Sequence, residues 1–250
     1  MIEFYKMSGS GNDFILIDNR LSALNVADLN GFINRVCARK GAVGADGLIL
    51  IEKSETCDFR WRFFNADGSE VEMCGNGGRC AARFAFLRGI AQEKMSFETR
   101  AGVIDAEVNG DTVKLRLTNP TDLTINRKIM IDDIPFDVNR IGRSIRYHKE
   151  YKPAGTNANF VEVVDEKTIR VRTYERGVED ETLACGTGSV AAALIAAEKN
   201  LVTSPVNVIV RSGEILRIHF RKTESGFDQI YLEGKANVVY EGRLWEEAYS

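Results

Sequence analysis

A cysteine followed by glycine opens an alanine-rich run in each half of this chain, and both runs fit the pattern Cys-Gly-x-Gly-x-x-x-Ala-Ala. The first begins at Cys74 and reaches Ala82; the second begins at Cys185 and reaches Ala193. Each has a glutamate four residues upstream, Glu70 and Glu181. Each also follows a segment that alternates as a strand does, Phe59–Asn65 in the first half and Ile169–Glu175 in the second. Further back, Gly11–Asp18 is matched to Thr156–Asp165. A chain that repeats strand, strand, loop, Cys-Gly, helix is constrained to two related domains. The fold class expected is α+β, with two pseudo-symmetric domains, each a mostly antiparallel sheet around a central helix, and an active site in the cleft between them. The first domain is expected over residues 1–118, completed by 239–250, and the second over 119–238.

Several function classes are disfavoured by composition. A net charge of −3, with Lys and Arg scattered along the chain, gives no footprint for nucleic acid or an anionic membrane. No apolar run approaches the roughly 18 residues that span a bilayer, and the first residues lack the features of a secretory signal, so a cytoplasmic location is expected. Five cysteines without a Cys-x-x-Cys pair argue against a disulfide framework and against structural zinc. Cys37, Cys57 and Cys80 read as small buried apolar residues. No metal is expected.

Along the chain, residues 2–6 and 13–18 read as strands around a loop, Met7–Asn12, suited to close backbone approach to a ligand. Residues 26–40 read as a helix with Val26, Leu29, Phe32, Ile33, Val36 and Cys37 on one face. Gly41–Gly47 reads as a turn into the strand Leu48–Ile51. Asn109-Gly110 signals a hairpin, and Ser212-Gly213 another. Residues 119–150 carry the weakest pattern, with a turn at Asn119–Asp122.

A cysteine at a helix entrance sits at the positive end of the helix dipole, where backbone N–H groups stabilise a thiolate or a bound carboxylate. Two such cysteines permit a two-base reaction on a carbon held between them. One thiolate removes a proton from one face, and the opposite thiol supplies one to the other. Each sulfur must come within about 3.5 Å of the carbon, which sets the sulfurs roughly 7 Å apart, too far for a disulfide. The dipole supplies about one pKa unit of the shift a thiolate needs. Gly75-Asn76 and Gly186-Thr187 present N–H groups for an anion, while the pair Glu175-Arg176 suits an ammonium and a carboxylate. The expected substrate is a small amino acid.

The runs Gly11-Asn12-Asp13-Phe14, Gly44-Ala45-Asp46-Gly47, Asn65–Ser69, Met73–Gly77, Gly155–Phe160, Tyr174–Gly177 and Ala184–Gly188 together resemble those of the diaminopimelate epimerases. The resemblance covers nearly the whole chain. It implies a cofactor-independent epimerase that interconverts LL- and meso-2,6-diaminopimelate in lysine and peptidoglycan synthesis, usually as a homodimer. By matching motif it makes Cys74 and Cys185 the acid/base pair, with Glu175 aiding catalysis by ordering the ammonium. It assigns substrate binding to Asn12, Asn65, Gly75, Asn76, Asn157, Glu175, Arg176, Gly186 and Thr187. The family usually carries an Asn-Thr-Gly-Val-Pro-His run before the part matching Ile141-Gly142-Arg143, and this chain lacks it. Three alternatives follow: a related two-cysteine racemase with another amino-acid substrate, a weakly active ligand-binding paralogue, and a redox switch joining Cys74 to Cys185.

Overall fold

The computed structural model describes residues 1–120, 124 and 137–249. The chain divides into two units, Met1–Arg116 with Gly234–Ser250, and Leu117–Glu233. The sequence had placed these crossings after residues 118 and 238. The turn expected at Asn119–Asp122, and most of the stretch where the family run is missing, extend beyond the described residues.

The first unit opens with β1 (Ile2–Gly9) and β2 (Asn12–Asp18), paired antiparallel. The expected six-residue loop is in fact a two-residue turn. Ser10 (φ 51°) and Gly11 (φ 91°) both lie in the left-handed region, which matches the twist of tightly joined strands. Helix α1 (Leu29–Cys37) is shorter than the pattern suggested. Asp28 caps its start by accepting from the Gly31 N–H, and the backbone at Ala38 turns extended. β3 (Gly47–Glu52) lies parallel to β2 and antiparallel to β4 (Phe59–Asn65).

Both β2 and β3 are apolar on both faces, with Phe14–Ile17 and Leu48–Ile51 no more than 1% exposed. Such strands need cover on each side. Phe32, Ile33 and Val36 of α1 pack with Ile15, Ile17, Leu48 and Leu50 on one face. A short β5 (Glu70–Val71) then leads into α2 (Gly75–Leu87), which covers the other face, its Gly77 lying against Ile49 and Trp61. β6 (Lys94–Thr99), β7 (Gly102–Asn109) and β8 (Thr112–Arg116) follow, and the β7–β8 hairpin turns at Gly110 (φ 62°).

The second unit contains α3 (Val138–Arg146), a helix in the stretch of weakest sequence pattern, capped by Asp137. β9 (Ala158–Asp165) pairs antiparallel with β10 (Thr168–Glu175), and β11 (Asp180–Thr182) pairs on the far side of β10. Helix α4 (Gly186–Glu198) is apolar nearly all round and packs its alanines and Leu194 against Ile169, Val208, Ile218 and Leu232. β12 (Val206–Ile209) runs parallel to β10, and β13 (Ile215–Thr223) and β14 (Gly226–Lys235) follow antiparallel. At Gly234 the chain re-enters the first unit, and β15 (Asn237–Leu244) pairs with β1 from Ile2↔Leu244 to Ser8↔Asn237.

Strand, short strand, cysteine and a 13-residue helix thus occur once in each unit. The pairing corrects one part of the sequence repeat. β9, matched there to Gly11–Asp18, lies antiparallel beside β10 as β3 lies beside β4, so its structural counterpart is β3 and not β2. Strand neighbours are fixed by register, which a shared Asn and Phe do not specify. Among the described residues the second unit has no counterpart of the β1–β2 hairpin.

Candidate active site

Cys74 and Cys185 are both helix N-caps. Their backbones are extended (φ −141°, ψ 118° and φ −125°, ψ 113°), so each side chain folds back over the first turn of its helix. Cys74 Sγ accepts from the Gly77 N–H at 3.5 Å, and Cys185 Sγ from the Gly188 N–H at 3.4 Å. Both glycines are closely packed. A Cβ on Gly188 would stand 2.4 Å from Asn159 Oδ1, and one on Gly77 would stand 3.3 Å from Ile49.

In the second unit the sulfur has three polar hydrogen donors around it. Besides the Gly188 N–H, the Thr187 hydroxyl lies at 3.5 Å and Asn157 Nδ2 at 3.7 Å. Asn157 is held in place because its Oδ1 accepts from the Arg176 N–H at 2.8 Å. Burial pushes the Cys185 thiol up to about 12, and the neighbouring Glu175 carboxylate adds to the rise. At neutral pH Cys185 therefore rests as a thiol beside Glu175. The three donors are already placed to receive the thiolate once a proton leaves. Burial also raises Glu175 above the usual carboxylate range, with the nearby Thr182 and Cys185 side chains opposing the rise.

The sign of that shift gives a test. A folded-state value above the unfolded one contributes stability that is fully present below the unfolded value and is lost as pH rises through the folded one. Glu175→Gln stays neutral throughout. It is expected to melt with the parent protein near pH 4 and above it near pH 7, and an equal Tm difference at both pH values would contradict this.

The turn that carries Glu175 and Arg176 is anchored by a residue the sequence did not single out. Glu179 accepts from the Gly177 N–H at 3.1 Å, from Arg146 Nε at 3.0 Å and from the Tyr147 hydroxyl at 2.8 Å. Arg176 itself is exposed, and Gly186 packs toward Leu232.

In the first unit Asn12 and Asn76 meet. Asn76 Nδ2 donates to Asn12 Oδ1 at 2.8 Å, and Asn12 Nδ2 donates to Asp46 Oδ2 at 2.9 Å. Asn76 is only 3% exposed, so its amide is committed to these partners. Asn65 is exposed at the end of β4, opposite Gly47, and its amide donates to Ser69 Oγ at 3.2 Å. Asp46 and Arg79 were absent from the sequence-based site. Gly44–Gly47 was quoted as a motif without a role, and an arginine inside a helix reads as solvated.

Beneath this cluster lies an ion network. Lys6, 6% exposed, contacts Asp13 Oδ2 at 2.7 Å and donates to the Gly44 carbonyl, while Arg39 bridges Asp13 and Asp46 at 2.7 and 2.6 Å. Burial raises the Asp13 carboxyl, but hydrogen bonds from Arg39 and Lys6 outweigh it and hold the group at about 2. Cys37 and Cys80 are buried as expected, Cys57 is only partly buried at the exposed end of its loop, and none of the five cysteines is in a disulfide. Among the described residues no three His, Cys, Asp or Glu side chains gather as metal ligands, and no helix is long and apolar enough to cross a membrane.

A family model described as "Diaminopimelate epimerase" matches residues 4–122 and 125–239. The diaminopimelate epimerase of Aquifex aeolicus is 47% identical, over 98% of this chain and 99% of its own. The chain belongs to the diaminopimelate epimerase family. The family enzyme of Hydrogenobaculum is 42% identical over the same shares, and that of Chlorobaculum tepidum is 44% identical over 95% of this chain. Among solved structures, a phenazine biosynthesis protein of the PhzF family from Bacillus anthracis superposes with TM-score 0.73 at 17% identity, covering 98% of this chain and 99% of that one. A hydroxyproline epimerase from Agrobacterium vitis gives TM-score 0.65 at 12% identity, covering 96% and 91%. At those identities the likeness is one of fold. The family architecture is thus shared with proteins whose names give other activities.

Proposed function

We infer that this chain is an isomerase that interconverts LL- and meso-2,6-diaminopimelate without a cofactor, using Cys74 and Cys185 as its acid/base pair. The observation that carries the reading is the matched N-cap geometry of the two sulfurs, each accepting from the N–H three residues on in a 13-residue helix. In one direction Cys74 takes the α-proton as a thiolate while Cys185, resting as a thiol, delivers its own to the opposite face. The roles reverse in the other direction. The backbone N–H groups of Gly75-Asn76 and Gly186-Thr187 hold the carboxylate at the reacting carbon. Glu175 and Arg176 order the ammonium and carboxylate, and Asn12, Asn65 and Asn157 serve the remainder of the substrate.

Family membership, at 38–47% identity for several relatives over at least 95% of the chain, favours diaminopimelate over other amino acids. Membership alone is also the support for a role in lysine biosynthesis, a cytoplasmic location and a homodimer. The test is exchange of the substrate α-proton in deuterium oxide. LL-diaminopimelate is expected to take up one deuterium per turnover as the meso form accumulates. Exchange on proline or hydroxyproline, with none on diaminopimelate, would transfer the chain to a different racemase.

A further inference from the structure

The amide pair at the first helix start lies within a longer chain of hydrogen bonds whose two ends differ in kind. Arg79, fully buried, donates from Nη2 to Asn76 Oδ1 at 3.0 Å. Asn76 then donates to Asn12 Oδ1 at 2.8 Å, and Asn12 to Asp46 Oδ2 at 2.9 Å. A guanidinium can only donate, and an ionised carboxylate can only accept. Two amides strung between such ends have a single satisfied arrangement. Turning either one alone, or both together, sets N–H against N–H or oxygen against oxygen at two places. The direction of the chain therefore follows from the chemistry of its ends and not from how amide nitrogen and oxygen are assigned.

We propose that Arg79 is a positioning residue that fixes the polarity of the Asn76 and Asn12 amides, and so decides which hydrogen-bonding face Asn12 turns to the substrate. The proposal rests on the reading of Asn12 and Gly75-Asn76 as substrate contacts. The guanidinium is itself tightly oriented. Nε donates to the Lys235 carbonyl at 3.2 Å, Nη1 to the Gly75 carbonyl at 3.4 Å, and Nη2 also to Ser10 Oγ at 2.6 Å. The Ser10 contact ties the left-handed turn before Asn12 to the same group, so backbone and amide of the binding loop are set from one side chain. An arginine is suited to this because its planar, permanently charged fork cannot become an acceptor. At the far end Asp46 is also fixed, by Arg39 at 2.6 Å.

The experiment is steady-state kinetics of epimerisation on three single variants and one double. Arg79→Met removes the donor-only end and is expected to raise KM about 10- to 100-fold, as for loss of hydrogen bonds with a charged partner, while kcat changes far less. Arg79→Lys keeps a donor-only group and is expected to restore most of the KM. Asp46→Asn, with Arg79 in place, should raise KM far less than Arg79→Met, because reversal would still set Arg79 against the Asn76 N–H and the Asp13 N–H at 3.2 Å keeps an oxygen on the Asn12 side. In Arg79→Met/Asp46→Asn neither end forbids reversal, so KM should rise by more than the product of the two single effects. A KM in Asp46→Asn raised as far as in Arg79→Met, a Lys variant as impaired as Met, or effects that simply multiply in the double variant would overturn the proposal. Should Arg79→Met not fold, Arg79→Gln, which can turn either an oxygen or an N–H to Asn76, takes its place alone and with Asp46→Asn, whose side chain is 37% exposed. A parent protein that exchanges no α-proton would instead count against the functional reading.

Discussion

Cys74→Ala and Cys185→Ala are each expected to lower epimerisation by about 100- to 10,000-fold, the range for removing a positioned acid or base. The loss should fall on kcat, since neither thiol is needed to hold the substrate's charged groups. Stability should change little: each variant loses one cap acceptor, at Gly77 or Gly188, which costs about 1 kcal/mol. Serine is the control for the fold, because its oxygen caps a helix at least as well as sulfur while remaining a poor base at neutral pH. Circular dichroism and α-deuterium incorporation followed by mass spectrometry report the two properties separately. Full epimerisation by either alanine variant would sink the two-sulfur scheme.

Gly47→Ala is expected to produce the largest loss of stability among conservative changes near the site. A Cβ there would stand 2.4 Å from the Phe64 carbonyl and 2.6 Å from the Phe63 ring. The first of these is backbone in the neighbouring strand of a fully covered sheet, so it cannot swing away. We expect a cost of about 3 kcal/mol or more, lowering Tm by roughly 6–12 °C for a chain of this size. The strain falls where Gly47 faces Asn65 in register and adjoins Asp46, so surviving folded protein should also bind substrate poorly. Gly41→Ala supplies the comparison, with no atom within 4 Å of the added carbon, and should be neutral. Equal melting temperatures for the two variants would show that the sheet accommodates the methyl group.

These two predictions differ in how far the sequence alone could carry them. The cysteine caps were legible because a cap is local: Cys74 and Gly77, or Cys185 and Gly188, are three residues apart. So were the strand Leu48–Ile51, the hairpin at Gly110 and the burial of Cys37 and Cys80. The chain from Arg79 to Asp46 was not. Its bonds join residues 34 and 64 positions apart, and Arg79 reaches Lys235 across 156. Nothing in the pattern of an alanine-rich helix announces a buried guanidinium, since arginine on a helix is ordinarily solvated. The mispairing of β9 with the Gly11–Asp18 strand has the same origin. Local similarity was read as equivalence, whereas position in a sheet is a long-range property. Helix α3 was within reach of the sequence, since Val138, Ile141 and Ile145 recur at helical spacing, but its stripe is only nine residues long and Gly142 interrupts it.

The antiparallel partnership of Ile2 with Leu244 has a consequence for how the molecule is made. During synthesis the second unit is a continuous segment and can close as soon as Glu233 has emerged, whereas the first must hold β1 without its second neighbour until Asn237–Leu244 has emerged. The amino-terminal half is thus translated first and finished last. Its β1 edge, bearing Phe4 and Met7, is the surface that nascent-chain chaperones have reason to shield in the interval.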